Sequence, residues 1–261
     1  MTISRTGTDA ARPRRPRPAF TLVELLVVMG IIGVLVAMLL PAVNQAVVVV
    51  RNAACRGRIS QIEAGLANFK NDWGVYPPSN EDDDDADTLQ QACPGTKTDG
   101  KDLLTVALVG PTSDGKGWGR PVENNVLPFG GTSESDAYGP YYKGEFHWTG
   151  GGAYIPDAFP SPERPILYYR FDRGEATYHY DDNPSDDINE GFQSESHFNL
   201  SAKYEAPDGT ERWQRKGYLL ICAGHDRMYG WIEDTDPPQA ATSRTQIVEG
   251  TALCDDVTNF D

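Results

Sequence analysis

The chain has 261 residues and carries 38 acidic against 23 basic side chains, for a formal net charge of −15 at pH 7. Its length suits one globular domain with attachments. Because nucleic-acid phosphates are bound by clustered lysine and arginine, so acidic a chain is not expected to bind nucleic acid, whereas divalent cations are compatible with it. The charge is also uneven: residues 1–19 contain five arginines and one aspartate, and removing them would take the net charge from −15 to −19.

An apolar run follows these arginines. Phe20 to Leu40 comprises 21 residues, about 31 Å of α-helix, which matches a bilayer hydrocarbon core of about 30 Å. The next arginine is Arg51, so the positive-inside rule places the N-terminus in the cytoplasm and the rest of the chain across the membrane. A cleaved secretory signal has a shorter apolar core. The sequence therefore predicts a single-pass membrane protein, in which the carboxylate of Glu24 lies where lipid penalises it.

The helical pattern continues beyond the apolar run. Apolar side chains at spacings of 7, 4, 3, 4 and 3 form an amphipathic stripe, comprising Val48, Cys55, Ile59, Ile62, Leu66 and Phe69. Gly74 and the prolines after it end the pattern. We predict one helix from about Thr21 to Asn71, with its first half in lipid and its second half against a soluble domain. Pro41 lies inside this helix and is expected to kink it or to release a hydrogen bond.

The composition of the sequence changes after residue 73, and the later segments predict an α+β domain. The acidic run EDDDDAD at 81–87 is expected to be a solvated loop, and residues 110–152 show few periodic elements. Strand candidates rich in aromatic and β-branched residues are PILYYRF at 165–171, ATYHY at 176–180 and GYLLICAG at 217–224. Turn residues separate them, which favours antiparallel pairing. The expected fold is a helix laid across a small antiparallel sheet with long loops.

The stretch from Ala19 to Glu24 reads AFTLVE and stands between a basic leader and the apolar run. It resembles the N-terminal cleavage and methylation signal of type IV pilins and type II secretion pseudopilins. The resemblance implies that a prepilin peptidase cuts between Ala19 and Phe20 and methylates the new amine, with Ala19 in place of the usual glycine. It also implies a leader at 1–19, a transmembrane and assembly helix at 20–46, its amphipathic continuation at 47–72, and an exported domain at 73–261 with an insertion around 110–215.

Cleavage would explain the buried acid. The new cationic amine of Phe20 and the carboxylate of Glu24 are four residues apart and share one face of the helix. An opposite charge offsets much of the cost of a carboxylate in hydrocarbon. If the amine instead came from a neighbouring subunit, Glu24 would set the axial register of a filament, and we assign Glu24 and Pro41 to assembly. The alternative is an uncleaved signal anchor with Glu24 at the membrane interface.

Two further segments resemble the major pseudopilin class. IEAGLANFKNDWGVYPPS at 62–79 is similar to the end of its long helix and the following loop, and LLICAGHDRMYG at 219–230 with DDVTNFD at 255–261 is similar to its closing segment. That segment binds calcium in the family, which implies calcium ligands at Asp226, Asp255 and Asp256. Arg227 stands where the family has glycine, and an insertion of about 25 residues separates the halves. The alternative is that these acids face solvent or cap turns.

The four cysteines show no C-x-x-C spacing of a zinc or redox site. Cys55 lies on the apolar stripe and is expected to pack in the core. If the C-terminal region is exported, a disulfide among Cys93, Cys222 and Cys254 is compatible with its compartment, although its connectivity is open and free buried thiols are the alternative.

No H-E-x-x-H, G-x-S-x-G or P-loop motif is present, and we expect no enzymatic activity. The resemblance implies a structural subunit of a pilus-like filament. The first expectation is a type II secretion pseudopilin that associates with itself, with other pilin-like subunits and with an inner-membrane assembly platform. The alternatives are a type IV pilus or minor tip subunit, and a membrane-tethered binding module that uses residues 110–215.

Overall fold

The computed structural model describes residues 21–81, 83, 86–87, 89, 97–119, 138–149, 152–160, 162–185, 191–214, 217–233, 239–241, 243 and 252–260. The helices are α1 (Leu22–Trp73), α2 (Gly100–Val109) and α3 (Glu195–Ala202), with a 3₁₀ turn at Tyr180–Asp182. The strands are β1 (His147–Thr149), β2 (Gly152–Tyr154), β3 (Leu167–Arg170), β4 (Lys203–Glu205), β5 (Glu211–Trp213), β6 (Tyr218–Cys222), β7 (Ile232–Glu233), β8 (Gln239–Ala240), β9 (Ala252–Leu253) and β10 (Val257–Thr258). The chain divides between Val47 and Val48 into two units, which are described separately.

The first unit consists of the N-terminal part of α1. Its apolar side chains are exposed, for example Leu22 at 78% and Met38 at 74%. Within the described ranges, α1 is the one helix that is long and apolar enough to cross a membrane. The helix continues through Pro41. Because proline has no N–H, the carbonyl of Ala37 receives no helical hydrogen bond from it.

The second unit begins with the amphipathic part of α1, whose predicted stripe is confirmed. Its buried side chains face the core of the domain: Cys55, Ile59, Ile62, Leu66 and Phe69. Gly65 lies on the same face, where a Cβ would come within 2.8 Å of the Tyr141 carbonyl oxygen. The helix ends at Trp73, after which the Gly74 N–H donates to the Lys70 carbonyl at 2.8 Å with a positive φ of 81°. This left-handed end is a common helix stop that favours glycine.

A three-stranded antiparallel sheet in the order β10–β6–β3 forms the centre of the second unit. All five residues of β6 are buried, because both faces of the sheet are covered. Alternate side chains point to opposite faces. Tyr218, Leu220 and Cys222 join the cluster that contains the α1 stripe and α2. Leu219 and Ile221 join a second cluster with Phe198 of α3. The predicted α+β architecture is confirmed.

The outer edge of β3 is occupied by side chains. The amide of Asn183 donates to the Tyr168 carbonyl at 2.7 Å, and the Arg170 N–H donates to the Ser79 hydroxyl at 3.1 Å. Gly100, the first residue of α2, approaches the Tyr168 carbonyl so closely that a Cβ on Gly100 would collide with it. Helix α2 therefore packs directly beside this edge.

The prediction of a strand at 176–180 is wrong. The carboxylate of Asp172 accepts hydrogen bonds from the N–H groups of Gly174 and Glu175, at 2.6 and 3.3 Å, and thereby makes a turn. Ala176 has a positive φ of 57°, and Thr177 forms only an isolated bridge with Asp172. This local side-chain capping competes with strand pairing.

The acidic run at 81–87 is only partly described, and what is described is not a fully solvated loop. Asp83 accepts a hydrogen bond from the Ser79 N–H at 2.7 Å, and Ala86 is buried. Residues 82, 84 and 85 lie outside the described ranges.

Candidate functional site

The predicted cleavage site cannot be located, because Ala19 and Phe20 lie outside the described residues. Thr21 is the first of the described residues, and it caps helix α1. The Thr21 N–H and hydroxyl both donate to Oε2 of Glu24 at 2.9 Å, and the Glu24 N–H donates to the Thr21 hydroxyl at 3.2 Å. This reciprocal arrangement is a capping box, which satisfies N–H groups at the start of a helix. Its T-x-x-E pattern, from Thr21 to Glu24, is a local signal that the sequence itself contains.

The capping box gives Glu24 a second role without removing its charge. It accounts for a threonine and a glutamate at this spacing in any helix start, whether or not the leader is cleaved. A carboxylate that accepts two hydrogen bonds from Thr21 still carries a negative charge among exposed apolar side chains such as Leu25 and Val28. Partnership with the Phe20 amine therefore remains a prediction.

The three C-terminal aspartates lie on two loops that meet beside the central sheet. Asp255, between β9 and β10, accepts hydrogen bonds at Oδ2 from the N–H groups of His225 and Asp226, at 2.6 and 3.1 Å. Asp256 accepts one at 2.6 Å from the Gly230 N–H. Asp226 itself accepts one at 2.9 Å from the Met228 N–H. The structure thus brings Asp226, Asp255 and Asp256 into one loop cluster.

Two glycines make this meeting of loops possible. Gly224 has a positive φ of 65°, and a Cβ there would collide with the Asp255 carbonyl and lie 2.6 Å from its Oδ1. Gly230, which donates to Asp256, has a positive φ of 92°. Both positions therefore require glycine, one for close approach and both for backbone conformation.

The cluster contains carboxylate oxygens without donors. Oδ1 of Asp255 and Oδ1 of Asp256 are buried and have no hydrogen-bond partner among the described residues. Burial raises the pKa of Asp256 well above its usual value, and the charges of Asp226 and Asp255 add to this. Asp226 is exposed as a whole residue, but its carboxyl group is partly buried. This burial, followed by the charge of Asp255, raises the pKa of Asp226 to about 7. Converging carboxylates with unused oxygens fit a hard divalent cation, which takes several oxygen ligands.

Arg227 fills the position where glycine was expected. It has a positive φ of 69°, the left-handed conformation that glycine usually supplies. Its guanidinium pairs with the carboxylate of Asp157, donates to the Pro162 carbonyl and lies 5.5 Å from the Phe159 ring centroid. Burial raises the pKa of Asp157, whereas Arg227 lowers it. The departure from the family pattern therefore fastens the C-terminal loop to the segment between β2 and β3.

That segment, part of the predicted insertion, is also held from α1. One nitrogen of Arg58 donates to the carbonyls of Pro156 and Asp157 at 2.6 and 2.7 Å, and another pairs with Glu145 at 2.8 Å. Ala153, Ile155 and Phe159 belong to the same core cluster as the α1 stripe. These residues of the segment are therefore integrated into the domain core.

Two other sets of possible metal ligands were not expected from the sequence: Glu145, His147 and Glu163, and Asp172, Glu175 and His179. In each set the ligand atoms all lie within 4.8 Å of one another. Asp226, Asp255 and Asp256 do not form a third set of this kind. The side chains of both other sets are at least one-third exposed where they form ion pairs, for example His147 with Glu163 at 2.7 Å. Exposed pairs of this kind are common without a metal.

Comparison with known proteins bears on the N-terminus. A family model for the prokaryotic N-terminal methylation motif matches residues 14–40, which include the end of the basic leader, the predicted cleavage site, Glu24 and the apolar run. No curated protein and no solved structure matches the chain. The motif implies processing by prepilin peptidase and filament assembly in general, and with the exposed apolar helix it indicates membrane anchoring. The N-terminal methylation motif therefore indicates a precursor with a type IV pilin-like N-terminus.

Proposed function

We propose that this protein is a pseudopilin of a type II secretion system, which is processed by prepilin peptidase and assembled into a pseudopilus based in the inner membrane. The observation that carries the proposal is the exposed apolar part of α1 with one acidic residue, Glu24, in its first turn. Cleavage between Ala19 and Phe20 removes the arginine-rich leader and creates the amine that is then methylated.

In this proposal the apolar part of α1 serves in two environments in turn. Before assembly it is covered by lipid, and after extraction it is covered by the same helices of neighbouring subunits. Such a surface is unfavourable in water. Pro41 removes one backbone hydrogen bond inside this segment and gives it a point at which it bends during extraction. The N-terminus stays on the cytoplasmic side, and the acidic domain lies on the periplasmic side.

Glu24 selects the register between subunits. A charge in the middle of a membrane-spanning helix costs on the order of 3 kcal/mol, and the cost falls toward the membrane surface. An amine beside the Glu24 carboxylate offsets the part of this cost that remains there. The capping box holds Glu24 toward the helix start, where the Phe20 amine of the same or a neighbouring subunit arrives. Other pilin-like subunits and an inner-membrane assembly platform are the remaining partners.

A calcium ion held by Asp226, Asp255 and Asp256 is part of the proposal. It rests on the two buried oxygens without donors and on the mutual repulsion of three carboxylates. The ion would neutralise that repulsion and fasten the two loops together. Because calcium takes about six to eight oxygen ligands, backbone carbonyls or water would complete its coordination.

The packing of the segment between β2 and β3 supports a filament subunit rather than a tethered binding module. A module added for ligand binding is expected to have its own core, whereas Ile155 and Phe159 share the core of the α1 stripe. A minor tip subunit or a type IV pilus subunit is the second candidate, favoured by the added length of residues 110–215. Abundance separates these roles, since a major subunit is plentiful and a tip subunit is scarce.

The decisive experiment is intact-mass and N-terminal analysis of the full chain extracted from membranes that contain prepilin peptidase. We expect a protein that begins at methylated Phe20. A peptidase-deficient strain is the control and should yield the uncleaved chain. A native protein that keeps residues 1–19 in the presence of the peptidase would overturn the proposal.

A further inference from the structure

Cys55 and Cys222 meet at the contact between α1 and the central sheet. Their Sγ atoms are 2.7 Å apart, and both residues are fully buried. Cys55 lies on the apolar stripe of α1, and Cys222 is the last residue of β6, opposite Val257 of β10. They are separated by 167 positions in the chain, so the pairing is a property of the fold rather than of local sequence.

The surroundings make the two sulfur atoms chemically unequal. Sγ of Cys55 faces the thiol of Cys222 and also accepts a hydrogen bond from the Ala158 N–H at 3.4 Å. The hydrogen bond with Cys222, helped by Ala158 and Arg58, lowers the pKa of Cys55 although burial opposes this. The same bond and burial raise the pKa of Cys222. Cys55 is therefore the more readily ionised member of the pair, and a thiolate is the species that attacks a disulfide.

We propose that Cys55 and Cys222 form a disulfide that joins α1 covalently to strand β6. The Sγ–Sγ bond forms as the two S–H bonds break, and the two protons pass, through solvent, to the two sulfur atoms of the oxidant. The two electrons reduce the disulfide of a thiol–disulfide oxidant to two thiols. One of the two thiolates attacks that oxidant, and the other then resolves the mixed disulfide. Both thiols are inaccessible in the folded domain, so the reaction takes place during folding, before the sheet closes on the helix.

The oxidising compartment that this bond requires follows from the proposed export of the domain, and in that respect the inference rests on the proposed function. The disulfide would make α1 and the sheet one covalent body. Any pull applied to the amphipathic part of α1 during filament assembly would then reach β6 through a bond rather than through packing alone.

Cys254 offers a matched control. It is half-buried and forms no disulfide with the other described cysteines, and burial raises its pKa far above its usual value. Cys93 lies outside the described residues. A Cys254→Ser variant therefore removes a thiol from the domain without touching the contact between Cys55 and Cys222.

The test uses the full chain extracted from membranes in detergent with an alkylating reagent present. After denaturation without reductant, peptide mapping should show Cys55 and Cys222 cross-linked and unmodified, and both should react once a reductant is added. Alkylation of both residues in the denatured, unreduced chain would overturn the proposal, as would a cross-link from Cys222 to Cys93 or Cys254. Because this mapping uses the wild-type chain, it does not depend on any variant that folds poorly.

Thermal unfolding gives a second measurement. Reductant should lower the Tm of the wild-type chain and of Cys254→Ser by roughly 10 °C, since a disulfide that closes so long a loop stabilises strongly. The Cys55→Ser/Cys222→Ser double variant should show no response to reductant. A wild-type Tm that ignores reductant contradicts the proposal.

N-terminal analysis of the same samples separates the two proposals. A methylated Phe20 with both thiols free overturns the disulfide alone. A retained leader in a chain that contains the disulfide overturns the filament role alone.

Discussion

Arg227, in the loop after β6, pairs with the carboxylate of Asp157, a residue of the segment between β2 and β3 whose side chain is fully buried. Two regions of the sequence that lie 70 positions apart are thereby fixed to each other. Arg227 accepts a left-handed backbone to make this pair, which indicates that the ion pair outweighs the conformational cost.

Replacement of Arg227 by glycine should therefore destabilise the domain, even though glycine suits the backbone. Loss of the guanidinium leaves the Asp157 carboxyl group buried without its partner, and breaking such a pair costs about 3–5 kcal/mol. Relief of the positive φ returns about 1 kcal/mol. We expect a net loss of about 2–4 kcal/mol in the free energy of unfolding, measured by denaturant titration.

The matched control is Arg212→Gly, because Arg212 pairs with Asp208 at 2.6 Å while both side chains are more than half exposed. Such a pair contributes less than about 1 kcal/mol. An Asp157→Asn/Arg227→Gly double variant should recover part of the lost stability. If Arg227→Gly is no worse than Arg212→Gly, the pair has no structural importance.

The two roles of Glu24 can be separated by substitution. Thr21→Ala removes the capping hydroxyl and should weaken the first turn of α1 by about 1 kcal/mol while leaving the carboxylate in place. Glu24→Gln keeps the capping geometry but removes the charge. We expect membrane insertion with both variants, assembly with Thr21→Ala, and loss of filaments with Glu24→Gln, measured by cross-linking and by recovery of sheared filaments. Equal loss with both variants would show that the cap rather than the charge is required.

Calcium should stabilise the loop cluster. At a calcium concentration about 100-fold above its dissociation constant, the gain is about 2.7 kcal/mol, or roughly 5–10 °C in Tm. Asp255→Asn should abolish this shift, whereas Asp181→Asn, which alters an exposed aspartate, should retain it. The measurement is the Tm of the full chain in detergent with calcium and with a chelator. If calcium raises the Tm of Asp255→Asn as much as that of the wild-type chain, any bound ion lies elsewhere.

The stability of the domain should depend on pH through Asp182. This carboxyl group is nearly fully buried and accepts hydrogen bonds from the Ser79 hydroxyl at 2.5 Å and the Asn80 amide at 2.6 Å. Burial raises its pKa from 3.8 to about 7. Between these two values the folded chain holds a proton that the unfolded chain has released, so the stability contributed by this group falls as pH rises, by up to about 1.4 kcal/mol per pH unit.

Asp182→Asn removes this titration and keeps the hydrogen-bonding shape. The variant should gain stability relative to the wild-type chain by about 3 kcal/mol as pH rises from 4.5 to 7.5, and the difference should level off above pH 7.5. Denaturant titrations at several pH values measure this, with Asp181→Asn as the exposed neighbour. Parallel curves for Asp182→Asn and the wild-type chain would contradict the assigned role of Asp182.

The sequence predicted the elements that have a clear periodicity. The stripe of α1 follows the 3.6-residue period, and β3 and β6 are rich in aromatic and branched residues, so these elements were predicted correctly. Helix α2 was not predicted, because every residue from Leu103 to Val109 is buried and no polar face marks a period. The strand predicted at 176–180 failed because the carboxylate of Asp172 caps a turn.

The functional contacts also divide into those that a local sequence pattern indicates and those that depend on the fold. Thr21 and Glu24 are three positions apart, and their capping box follows a local pattern that a closer inspection of the sequence would have found. The contacts between Arg227 and Asp157 and between Cys55 and Cys222 join distant parts of the chain. A single sequence contains no spacing that indicates either contact, since each depends on how the helix, the sheet and the insertion pack.

The occupied edge of β3 limits how this protein can polymerise. Many chains associate by adding a strand from a neighbour to an open sheet edge. At Tyr168 and Arg170 the backbone groups that would receive such a strand are already bonded to Asn183 and Ser79. Strand addition at this edge is therefore blocked at these two residues, and a neighbouring copy cannot extend the central sheet through them.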